Sequence, residues 1–166
     1  MKRQQPAALP RATSARASSP RAPAPRVLYL AEPPPRTERP PVVVDCSVLS
    51  AVLWAEPAAA DAAAQLSGRS VHAPGLIRYE LANVARNKSR SGVPPDVARA
   101  GLEAFAEQKI ALSEIDVSRL FDLAHSLSLT AYDAAYLCLA ADLRAPLVTF
   151  DQRLAEAARR HLAPGA

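Results

Sequence analysis

At 166 residues the chain is long enough for one domain with a proper core, and it holds no apolar run near the roughly 20 residues that span a membrane. The formal charge of +4 is uneven: residues 1–41 carry eight Lys/Arg against Glu32 and Glu38, and the remainder carries twelve Lys/Arg against fourteen Asp/Glu. A weakly acidic body argues against a duplex-wrapping protein; Cys46 and Cys138, in no CxxC or Cys/His spacing, exclude a disulfide framework or zinc site and fit a reducing, cytoplasmic setting.

Residues 1–41 contain ten of the sixteen prolines; they cannot build a core and read as a disordered basic extension, with the domain running over 42–163. PVVVDCS, 41–47, sets three β-branched residues before a carboxylate, the pattern of a short strand buried on both faces and ending in an acidic turn. Ser47 opens an apolar helix to Trp54. Ala58 to Leu66 reads as an alanine-rich helix, Ser70 to Ala73 as a second strand, and Pro74 as the first turn of a helix running to about Lys88. A helix from Pro94-Pro95-Asp96, a brief strand over Ile110 to Leu112 and a helix over Val117 to Leu127 follow. Thr130 starts a helix apolar almost all round and therefore buried. Pro146 to Phe150 is the last strand, and Asp151 caps a helix from Gln152 to about His161. Strands alternating with helices give an α/β fold: a short, mainly parallel sheet covered on both faces.

Four carboxylates stand out against this frame. Asp45 and Asp151 follow strands, so both belong at the carboxyl edge of the sheet, where open parallel sheets bind ligands. Each also has a plain structural role open to it, a turn for Asp45 and an N-cap for Asp151. Asp133 lies three residues after Thr130, as in a capping box, and leans toward the same edge. Glu80 interrupts an apolar helical stripe between Leu76 and Val84, where an unpaired carboxylate costs several kcal/mol; an arginine such as Arg78 or Arg86 is one compensation. Four acids together raise one another's pKa, and the simplest compensation for all of them is a divalent cation. All-oxygen ligation suits Mg²⁺ or Mn²⁺ and implies metal-assisted phosphodiester chemistry. Arg86, Lys88 and Arg90, beyond Glu80, form a basic cluster able either to hold an RNA backbone or to complement a helix end. No P-loop and no G-x-S-x-G elbow is present.

VVVDCSVL at 42–49, YELAN at 79–83, LTAYDAAYLCLA at 129–140 and LVTFDQRLAEAA at 147–158 together resemble the PIN-domain ribonucleases, in particular the VapC-like toxins of toxin-antitoxin pairs. The resemblance implies a three-layer α/β/α fold and Asp45, Glu80, Asp133 and Asp151 as the metal-binding and catalytic acids, Asp45 and Asp133 foremost. It also implies Ser47, Asn83 and Thr149 as supporting polar residues, Mg²⁺ or Mn²⁺ as cofactor, RNA as substrate, a homodimer and a cognate antitoxin protein. The extension over 1–41 is foreign to that pattern. A PIN nuclease of RNA processing without an antitoxin and a catalytically silent PIN binding module are the competing expectations.

Overall fold

A computed structural model of the protein describes residues 39–162. The extension expected over 1–41 therefore lies, up to residue 38, outside the described residues. Strand β1 (Pro41–Val44) leads into helices α1 (Cys46–Leu53) and α2 (Ala59–Leu66), then β2 (Ser70–Pro74), α3 (Ile77–Arg90), α4 (Pro95–Glu107), β3 (Ala111–Ser113), α5 (Val117–Leu127), α6 (Ala131–Leu143), β4 (Leu147–Val148) and α7 (Gln152–His161). The strands pair in the order β3-β2-β1-β4, every pair parallel.

Val42, Val43 and Val44 are fully buried, as a central strand covered on both faces requires; burial of each contributes about 1.5–3 kcal/mol. Helix α6 packs on β1, β2 and β4 and buries seven consecutive residues, Ala134 to Ala140. Three of these are alanines, which lets the helix approach the sheet closely. Ile77 and Leu81 of α3 and Leu154 of α7 complete the core. On the other side of α1, Trp54 Nε1 donates to the Ala98 carbonyl of α4 at 3.3 Å, over the helix position that Gly101 leaves without a side chain.

Three boundaries differ from expectation. Pro74 ends β2 instead of starting a helix; it pairs with Ser113, and the next amide, Gly75 N–H, donates to the Ser113 carbonyl at 2.9 Å. The strand expected over 146–150 is only Leu147–Val148, because Thr149 and Phe150 turn away to meet side chains at the end of β1. The brief strand over 110–112 lies at 111–113.

The chain steps from β1 through β2 to β3 in one direction, then returns past β1 to lay down β4 on its far side. The direction of travel reverses at β1. The carboxyl ends of β1 and β4 thus border the switch point, the crevice where open parallel sheets bind ligands.

Candidate active site

Asp45, the first residue after β1, is 6 % exposed. Its extended backbone makes it the N-cap of α1, and its carboxylate accepts from every side. Oδ1 takes Ser47 Oγ at 2.7 Å and the Val48 amide at 3.2 Å, and Oδ2 takes Thr149 Oγ1 at 2.6 Å. The two hydroxyls are themselves held: Ser47 Oγ accepts from the Phe150 amide at 3.0 Å, and Thr149 Oγ1 from the Asp151 amide at 2.9 Å. A hydroxyl donates one proton and accepts through its lone pairs. Ser47 and Thr149 therefore lock the turn after β4 onto the carboxylate after β1.

Glu80 stands in the first turn of α3, half-buried, and accepts the hydroxyl proton of Tyr136 from α6. Burial pushes its carboxyl above the usual range; the Tyr136 bond opposes this, and the charges of Asp45 and Asp133 add to the upward shift. Those two acids are thus within electrostatic reach of Glu80. Burial and the neighbouring Glu80 push the Tyr136 hydroxyl upward as well. The Cys46 thiol, pushed up to about 12 by burial, Glu80 and Asp45, stays protonated at neutral pH and is no nucleophile.

Asp133 forms the expected capping arrangement: Thr130 Oγ1 accepts from the Asp133 amide at 3.1 Å and donates to its Oδ2 at 2.8 Å. Asp151 is exposed and caps α7, with Oδ1 accepting from the Leu154 amide at 2.8 Å. It is joined to the site through Thr149, and its charge is not among those that move Glu80. Asn83 is exposed one turn beyond Glu80. Arg86 and Arg90 are exposed as well, but Lys88 pairs with Glu56 at 2.6 Å and lies 5.4 Å from the centre of the Trp54 ring. Its ammonium is engaged in joining α3 to the segment after α1.

Tyr136 is the residue sequence reasoning passed over. The signal was a hydroxyl one turn after Asp133 in a helix otherwise apolar, since a buried tyrosine finds a hydrogen-bond partner. Among the described residues no arginine pairs with Glu80. The ion pairs among the described residues, Lys88–Glu56 and Arg119–Asp142, leave Asp45, Glu80 and Asp133 without a side-chain cation.

Among the described residues no three His, Cys, Asp or Glu side chains are gathered as a ready-made metal-ligand group. The donor chemistry nevertheless fits an oxygen-seeking divalent cation: burial first, and then the charges of Asp45 and Asp133, push the Glu80 carboxyl upward. Asp45, Glu80 and Asp133 are the residues that would hold such an ion.

The PIN domain family model matches residues 42–160. The chain belongs to the PIN domain family. The matched span contains every acid of the site. Among PIN-family relatives, Ribonuclease VapC3 of Pyrobaculum aerophilum is 33% identical over 121 residues, a match covering 69% of this chain and 92% of that protein. A solved structure, PAE2754 from Pyrobaculum aerophilum, shares the PIN fold with a TM-score of 0.58 at 24% identity, over 73% of this chain and 85% of its own. No helix among the described residues is long and apolar enough to cross a membrane.

Proposed function

We propose that this protein is a metal-dependent endoribonuclease that hydrolyses RNA phosphodiester bonds as the toxin of a toxin-antitoxin pair. The observation that carries the reading is that the charges of Asp45 and Asp133 act on half-buried Glu80, while no ion pair among the described residues engages any of the three. The name of Ribonuclease VapC3 supports RNA as the substrate.

Asp45, Glu80 and Asp133 would hold Mg²⁺ or Mn²⁺, which when bound activates water and neutralises charge on the phosphate and the leaving oxygen. The rest of the work falls to this chain's own groups. Ser47 and Thr149 fix the rotamer of Asp45, so its oxygens keep one geometry. Tyr136 does the same for Glu80. Asp151, at the mouth of the site, is exposed and able to orient water or ribose hydroxyls. Hydrolysis adds water at phosphorus, breaks one P–O ester bond and returns a proton to the leaving ribose oxygen. A homodimer and an antitoxin that covers the acidic edge complete the proposal.

The test is cleavage of a mixed RNA pool by the purified full chain in Mg²⁺ or Mn²⁺ and in chelator, alongside Asp45→Asn and Asp133→Asn. Cleavage should disappear in chelator and in both folded variants. Cleavage that persists in either variant would sink the assignment.

A further inference from the structure

At the opposite edge of the sheet from the acids lies a cleft of about 600 Å³ whose walls include Arg39, Arg69, His72 and Lys109, with no Asp or Glu among the described residues that line it. Strand register explains the gathering. Pro41 is level with Ser70, and His72 with Ala111, so Arg39, Arg69 and Lys109 come from the leading ends of β1, β2 and β3, neighbours about 4.8 Å apart. The Pro40 carbonyl accepts from the Ser70 amide at 3.0 Å, carrying the pairing of β1 and β2 up to the residue beside Arg39. None of the three cations belongs to an ion pair among the described residues.

The fold gains little from this crowding. Leu143, the last residue of α6, also lines the cleft, and a helix C-terminus offers about half a negative charge. That is too little to offset three full positive charges. Among the described residues lining the cleft nothing else offsets them, which leaves the cleft fit for an anionic ligand.

We infer that this cleft binds the phosphate backbone of RNA, gripping a stretch of the strand remote from the acids. The inference rests on RNA being the ligand, as proposed above. The acidic edge repels phosphate, so cations beyond it are needed to attract the strand. Two arginines and a lysine, with no Asp or Glu among the described residues that line the cleft, meet that need, and guanidinium forks suit phosphate oxygens. The four residues of β1 separate the two edges by about 13 Å. Only a strand longer than a few nucleotides can therefore engage both.

The experiment measures fluorescence anisotropy of the full chain in chelator with oligouridylates of about thirty and about four nucleotides. The parent is compared with Arg69→Glu/Lys109→Glu, with Arg69→Gln/Lys109→Gln, and with an Arg99→Glu/Arg160→Glu control of equal net charge; thermal melts establish folding. The long RNA should bind the charge-reversed cleft at least about tenfold more weakly and the glutamine pair less strongly than the parent, with the logarithmic salt slope reduced by about 1.4, two phosphate contacts' worth. The short RNA and the control should change little. Equal weakening in the control, an unchanged long RNA, or a parent that binds no RNA would each overturn the cleft. So would loss of polyglutamate binding in the cleft variants with RNA binding intact, which would assign the cleft to an acidic protein. A parent that fails to cleave RNA while the cleft variants still lose RNA binding would sink the nuclease reading and leave the cleft standing.

Discussion

Thr149 Oγ1 donates to Asp45 Oδ2 at 2.6 Å, tying the residue after β4 to the residue after β1 across 104 positions of sequence. The same hydroxyl accepts from the Asp151 amide. One side chain therefore sets both the rotamer of the central acid and the turn that presents Asp151.

Thr149→Val keeps the shape and removes both bonds. A part-buried acceptor left without its donor costs about 1–3 kcal/mol. The variant should lose that much stability in urea unfolding and about tenfold in kcat on RNA, while Thr149→Ser recovers most of both. A valine variant with wild-type turnover would show that Asp45 needs no such anchor.

Glu80 allows a pH test with a definite sign. Its carboxyl is raised in the folded state, so the native protein binds more protons than the unfolded chain between the ordinary glutamate value of about 4.3 and the raised one. Stability from this group is full below that ordinary value and falls as pH rises through the raised one. Glu80→Gln should accordingly raise Tm at pH 7, with the gain vanishing near pH 4, and should abolish cleavage. Tyr136→Phe removes the bond that opposes the shift and should move the acid limb of the activity profile to higher pH. A glutamine variant less stable than wild type at neutral pH would mean that the charge of Glu80 is compensated.

What local sequence could express, it expressed. Three valines before Asp45 determine β1, Thr130 and Asp133 mark the start of α6, and Asp151 marks the start of α7, because caps and β-branched runs act within a few residues. Partners far apart in the chain were not legible. Pro74 suits a helix start equally well until Ser113, contributed by another strand, pairs with it. Tyr136 meets Glu80 across 56 residues, and Lys88 meets Glu56 across 32. Thr149 and Phe150 look extended, and only the side chains of Asp45 and Ser47 reveal why they leave the sheet.

Lys88 and Arg86 should separate in their effects. Lys88 holds Glu56, whose carboxyl it draws below the usual range with help from Ser50 Oγ at 2.9 Å. For a depressed acid the stabilisation is present above its ordinary value and is lost as pH falls through the lowered one. The pair is partly solvent-exposed, so Lys88→Ala should cost only about 0.5–1.5 kcal/mol at pH 7, its contact with Trp54 included, and less below pH 4. Arg86→Ala should leave stability unchanged. Its effect on RNA binding, read by anisotropy, should exceed that of Lys88→Ala; the reverse order would return Lys88 to the RNA surface.

Gly101 sets the approach of α4 to α1. A Cβ at this position would lie 2.6 Å from Trp54 Cζ2, closer than packed carbons tolerate. Alanine is favoured over glycine in a helix interior by about 1 kcal/mol, so the propensity term alone predicts that Gly101→Ala stabilises. Overpacking against a rigid indole costs about 1–3 kcal/mol, and displacing the ring also strains the Trp54–Ala98 hydrogen bond and its contact with Lys88. The steric term should win, leaving Gly101→Ala less stable by about 1–2 kcal/mol in urea unfolding. Trp54→Phe in the same background should recover part of the loss, because the smaller ring frees the space beside position 101. A stabilised single variant would mean that the indole moves aside freely, and that helix propensity, not contact with Trp54, governs this position.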